Sequence, residues 1–192
     1  MEEMDRIGIY IDIDNIERSL KEYNDTGLYL DFQRLIELMA EGCRLVVLRG
    51  YGGFIRSDTE RHGIESELES IGVELVLYKC QKEIDYCKST IRQKEVDTAI
   101  TTDVSWDLAT GRIDRAIIMS GDRDMRPALV RAQDEGYEVK ILAVKSAISD
   151  DCYDDSELML IDDLEVFAVG STAEEEPENG AHMADRREEV RV

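Results

Sequence analysis

The sequence predicts an α/β fold in three layers, a mostly parallel central sheet of about five strands with helices on both faces. Three observations carry that reading: short apolar runs of strand length recur along the chain, segments of helical periodicity separate them, and glycines mark where those segments stop.

The first strand is expected over residues 6–11, where Ile7-Gly-Ile-Tyr-Ile11 runs into the polar group Asp12-Ile-Asp-Asn15. A helical pattern follows over residues 16–23. A second helix spans 31–40, with Phe32, Leu35, Ile36 and Met39 on one face, Asp31 as N-cap and Gly42 as its stop. Residues 44–49 read as a buried second strand closed by Gly50-Tyr-Gly-Gly53, and 57–70 as an acidic-faced helix ended by Gly72. A third strand covers 73–78. Residues 79–95 are polar and aperiodic and read as a loop or short extra element long enough to be functional. Val96, Ile100, Val104 and Leu108 recur at helical spacing over 96–109, before Gly111. The fourth strand is 116–119, and Ser120-Gly-Asp-Arg-Asp124 turns into a helix over 126–135 with Pro127 in its first turn and Gly136 after it. The fifth strand is 138–144, and 158–167 holds a last apolar stretch. The expected organisation is one domain over residues 1–169 and a Glu-rich, disordered tail over 170–192.

Composition narrows the function. The chain of 192 residues has 44 acidic and 23 basic residues and a formal charge of −21, which argues against nucleic-acid binding by bulk attraction. Any phosphate-handling site needs a cation to screen it. Cys43, Cys80, Cys87 and Cys152 form no CxxC pair and read as reduced thiols rather than a disulfide framework or zinc ribbon. Charged residues at the start and the lack of any membrane-length apolar run point to a cytoplasmic protein without a membrane partner. Trp106 and Leu158 would serve a homodimer interface as readily as the core.

The chemistry is expected where two strands end. Asp12, Asp14 and Asn15 follow the first strand, and Ser120, Asp122 and Asp124 follow the fourth; in a parallel sheet these loops can be neighbours. Carboxylates gathered there repel one another, and a hard divalent cation, Mg²⁺ or Mn²⁺, is the natural remedy. Asp97 opens the helix before the fourth strand and is expected to point into the site, with Asp103 further along the helix as a weaker candidate. Taken one at a time, Asp12, Asn15, Asp97, Asp122 and Asp124 also suit helix starts, where they would cap backbone N–H groups.

The groups Asp12-Ile-Asp-Asn15, Lys94-Glu-Val-Asp97 and Ser120-Gly-Asp-Arg-Asp-Met125, the last followed by Pro127-Ala-Leu and Gly136-Tyr-Glu-Val139, resemble the three motifs of NYN domains of the LabA-like group, in order over residues 6–168. The resemblance implies a PIN-like, Rossmann-like sandwich and a metal-dependent ribonuclease acting on RNA. In it, Asp12, Asp97 and Asp122 would hold the metal, Asp124 would act beside them, and Asn15 would support them. Two departures stand out: Glu95 replaces a small residue, usually glycine, and Met125 replaces the usual phenylalanine. No histidine is available for acid–base work, since His62 follows an acidic helix start and His182 lies in the tail. RNA contacts are expected from Arg49, Tyr51, Arg56, Lys88, Arg92 and Lys94, with Lys79, Lys82 and Phe54 nearby, although each of these residue types also serves ordinary surfaces. Arg123 and Arg126 are close enough to the acids to pair with them. Two rivals stand beside this reading. A haloacid-dehalogenase-type phosphatase shares the D-x-D but needs a hydroxyl at Ile16 and an acid at Arg126. A regulatory RNA- or protein-binding module would keep the fold without cleavage.

Overall fold

The computed structural model describes residues 4–54, 63–79, 81–85, 88–92, 94–148 and 157–169. In chain order its main elements are β1 (Arg6–Asp12), α1 (Ile13–Leu20), β2 (Leu28–Leu30), α2 (Phe32–Met39), β3 (Arg44–Phe54), α3 (Ile64–Ser70), β4 (Glu74–Lys79), β5 (Gln81–Asp85), β6 (Lys88–Arg92), α4 (Lys94–Ala109), β7 (Arg115–Met119), α5 (Arg126–Asp134), β8 (Glu138–Ala143), β9 (Leu158–Leu160) and β10 (Phe167–Val169). The expected tail and the first part of the helix assigned to 57–70 lie outside the described residues.

Side chains alternate across each strand, so every central strand feeds two cores. Ile7, Ile9 and Ile11 of β1, with Ile117 and Met119 of β7, pack with Ile13 and Ile16 of α1, Leu35 and Ile36 of α2 and Leu68 of α3. Tyr10 of β1, with Ala116 and Ile118 of β7 and Ile141 of β8, packs with Val96, Ile100, Val104 and Leu108 of α4 and Leu129 of α5. The result is the expected three-layer α/β arrangement.

The central sheet has the order β4-β3-β1-β7-β8-β9, and every pairing within it is parallel. The chain leaves β1 toward β3 and β4 on one side and fills β7, β8 and β9 on the other. The order therefore reverses between β1 and β7, where the connections leaving the two strands diverge and open a crevice beyond their carboxyl ends.

Two expectations are refined, the strand count and the polar segment, and two boundaries are corrected. The sheet has six strands rather than about five, because Leu158–Leu160 of the last apolar stretch pairs with β8, Ile141 opposite Leu158. Strand β3 continues through its glycines to Phe54 instead of stopping at Arg49. At Gly50 a Cβ would come within 3.0 Å of Ile13 and 3.2 Å of Val73, so glycine here admits close packing rather than a turn. Helix α1 starts at Ile13, directly after the strand, because Asp12 caps it. The polar segment after β4 contains a hairpin, with Gln81 opposite Arg92 and Asp85 opposite Lys88. A second small sheet pairs β2 with β10, and Tyr23 stacks on Phe167 beside it with ring centroids 4.5 Å apart. Trp106 is 68% exposed. Leu158 is half-buried in β9. Among the described residues no helix is long and apolar enough to cross a membrane.

Candidate active site at the switch point of the sheet

Strand β1 ends on Asp12, whose extended backbone lets its side chain turn back over α1. Asp12 Oδ1 accepts the Asn15 N–H at 3.1 Å, and Oδ2 accepts the Ser120 hydroxyl at 3.0 Å. The first bond is an N-cap, so capping and a site role coexist in one residue. Asp12 is 5% exposed. Burial pushes its carboxyl up to about 6; the charges of Asp97 and Asp14 push the same way, against the Asn15 and Ser120 hydrogen bonds.

The next residues tie this loop to its neighbours. Asp14 Oδ2 accepts the Gly53 N–H of β3 at 2.8 Å, and Asn15 Oδ1 accepts the Gly121 N–H after β7 at 2.9 Å. Thus the first turn of α1 is tied to β3 on one side and to the turn after β7 on the other.

Ser120, fully buried, donates to Asp12 while accepting the Asp122 N–H at 3.1 Å. Asp122 in turn accepts the Asp124 N–H at 2.9 Å and caps the short 3₁₀ turn Arg123–Met125. At Gly121 a Cβ would lie 2.6 Å from the Ala147 carbonyl oxygen, so only glycine lets this turn pass that backbone. Met125 is fully buried, which makes its departure from phenylalanine a matter of packing.

Asp97, in the first turn of α4, faces the same crevice. Its carboxyl is pushed up by burial and then by the charges of Asp122 and Asp124. Asp97 is therefore within electrostatic reach of Asp12, Asp122 and Asp124, and Asp12 within reach of Asp14. Among the described residues no three of them are gathered into a ready-made metal cage. A looser ring of oxygens suits Mg²⁺, which keeps several waters and takes one or two carboxylates directly. The donors are all hard oxygens, and the buried Asp12 keeps lone pairs beyond its two hydrogen bonds, so the set fits such an ion.

Other expected site residues are placed elsewhere. Tyr51 is fully buried and donates to Asp103 Oδ2 at 2.7 Å, which corrects its expected role as an RNA contact: its ring is part of the core. Arg49 is also corrected, since Nε reaches Glu74 at 2.8 Å and Nη1 reaches Asp103 at 3.2 Å, leaving its guanidinium engaged within the protein. Asp103 belongs to that network rather than to the crevice. Arg56 and the side chains of Phe54, Lys82, Lys88, Arg92 and Lys94 lie outside the described residues. Lys79, Glu95, Arg123 and Arg126 are exposed.

One feature escaped the sequence reading: Asp107 is 2% exposed and accepts the hydroxyl of the buried Tyr10 at 2.8 Å. The available signal was the repeat of Asp103 and Asp107 four residues apart on α4.

Comparison with known proteins gives a family and a fold. The family model described as NYN domain matches residues 6–157. A crystal structure of a protein of unknown function from Vibrio parahaemolyticus superimposes with a TM-score of 0.66 at 22% identity, covering 85% of this chain and 96% of that chain. The structure of the glycotransferase of kitacinnamycin matches 73% of this chain and 30% of that chain at 16% identity, with a TM-score of 0.35, too loose a likeness to inform function. No curated protein matches the chain.

Proposed function

Because the chain belongs to the NYN domain family, with its PIN-like nuclease fold, we propose that it is a ribonuclease of the LabA-like group that hydrolyses RNA phosphodiester bonds with Mg²⁺ or Mn²⁺. What supports this reading is the buried Asp12 at the end of β1, with Asp97 within reach of its charge and of the charges of Asp122 and Asp124.

Asp12, Asp97 and Asp122 would hold the metal. When bound, the ion supplies a water of lowered pKa and offsets charge on the phosphate. Asp124, exposed at the rim, orients an attacking water by accepting its hydrogen bond. Ser120 fixes Asp12 by donation, Asn15 holds the start of α1 to the turn after β7, and Asp14 anchors the same helix start to β3. The acids keep the crevice unfavourable to a bare phosphate, so the substrate enters only when a cation is in place.

A second reading is favoured by the formal charge of −21: a regulatory module that binds RNA or protein without cutting. The deciding experiment is cleavage of labelled single-stranded and structured RNA by the wild type and Asp122→Asn, with Mg²⁺, Mn²⁺ or chelator. Metal-dependent products lost in the variant are expected. A folded, metal-replete wild type that cuts no RNA would leave the regulatory module as the better reading.

A further inference from the structure

Beneath α4, we infer that two tyrosine–aspartate hydrogen bonds set the register of that helix on the sheet and so place Asp97 in the acidic crevice; the inference rests on reading the crevice as a metal site. Tyr10 of β1 donates to Asp107 Oδ2 at 2.8 Å, and Tyr51 of β3 donates to Asp103 Oδ2 at 2.7 Å. Arg49 Nη1 lies 3.2 Å from Asp103 and 3.8 Å from Asp107, joining the two pairs, and Arg112 reaches the other oxygen of Asp107 at 3.2 Å. Space for the first pair is built into β1. A Cβ at Gly8 would meet the Tyr10 ring at 2.7 Å and its hydroxyl oxygen at 2.9 Å.

Apolar packing alone leaves the register of α4 nearly degenerate. Its buried side is Val96, Ile100, Val104 and Leu108, evenly spaced, so a slide by one repeat, about 6 Å along the axis, returns apolar side chains to all but one of their places. Asp103 and Asp107 have the same spacing, so after such a slide one aspartate would still meet a tyrosine. The other tyrosine would not be satisfied: Ala99 would face Tyr51, or Gly111 would face Tyr10. A buried hydroxyl without a partner is costly, and both pairs are satisfied in one register only. Asp97 rides on the same helix. A slide of that length would carry it away from Asp122 and Asp124. Tyr10, Tyr51, Asp103 and Asp107 are thus positioning residues for a carboxylate none of them touches.

The test is Mn²⁺ affinity, by isothermal titration of the full chain, in a double-mutant cycle of Asp97→Asn and the pair Tyr10→Phe/Tyr51→Phe. Each arm should weaken Mn²⁺ roughly 10- to 100-fold, as loss of a ligand's support does. Combined, they should be no weaker than Asp97→Asn alone, because Asp97 has already left the site. Additive losses, or wild-type affinity in the folded Phe pair, would overturn the inference and leave the apolar stripe as sole arbiter of register. If circular dichroism shows the pair unfolded, Tyr51→Phe alone enters the cycle with the same expectation. A wild type that binds no Mn²⁺, or an Asp122→Asn that binds it normally, would instead overturn the metal reading, and this inference with it.

Discussion

Asp12 concentrates the conflict between fold and function in one side chain. Burial raises its carboxyl to about 6 from an ordinary 3.8, so the folded protein holds this proton more tightly than the unfolded chain does. Its contribution to stability is therefore complete below the ordinary value and is lost as pH rises through about 6. In chelator, Asp12→Asn should match the wild type near about pH 4 and exceed its stability by about 3 kcal/mol near pH 8, read from urea denaturation. An equal difference at both pH values would remove the buried-charge account. Cleavage runs in the opposite sense. It needs the carboxylate, so the wild-type rate should fall toward acid, at a pH that drops as Mn²⁺ is raised because metal and proton compete for Asp12. Gly121 poses a steric question instead, because the atom a Cβ would strike at 2.6 Å is backbone and cannot rotate away. Gly121→Ala should cost about 1–3 kcal/mol in thermal or urea unfolding. It should also depress cleavage, since the turn it distorts carries Asp122.

At the level of elements, the start of α1 and the turn after β7 act as one unit because Asn15 joins them through the Gly121 N–H. Asn15→Ala leaves that buried N–H without its acceptor, an expected loss of about 1–3 kcal/mol. The fall in cleavage should be larger, up to about 100-fold, because misplacing reacting groups by an ångström is that damaging. A variant as active as the wild type would show that the loops hold their places independently. These two segments were readable from sequence because each follows an apolar strand and carries acids where helix-capping residues also belong, so local and functional signals coincide. Asp97 was readable for the same reason, at the start of a periodic helix. Elsewhere the local signal was missing or misleading. Glycines normally read as strand breakers, and only the packing of Ile13 against Gly50 explains why β3 runs through them. The polar hairpin after β4 has no apolar alternation to announce it, and β9 is too short to register as a strand until β8 is beside it. Tyr51 and Arg49 lie toward the carboxyl end of β3, where RNA-contacting residues would be expected, yet bond to aspartates of α4.

Over the whole molecule, the charge of −21 sets how a polyanionic substrate can approach. A nuclease with a basic groove gains affinity by releasing counterions, and its binding to single strands weakens with added salt at a logarithmic slope of about −0.7 per phosphate contacted. Here the long-range field repels RNA, and the screening length shrinks as salt rises, to about 10 Å at 0.1 M. Association with RNA at fixed Mg²⁺ should therefore accelerate, or at worst hold level, as monovalent salt rises from about 20 to about 200 mM. Stopped-flow fluorescence with the wild type and a labelled oligonucleotide carrying non-hydrolysable linkages reads this directly. A flat or rising rate means that recognition is confined to the cation-loaded crevice, where short-range ligation outweighs the field of the remaining protein. A steep fall would mean that local basic groups, foremost Lys88, Arg92 and Lys94, contact enough phosphates to dominate, and that the acidic surface stands apart from the path of the substrate.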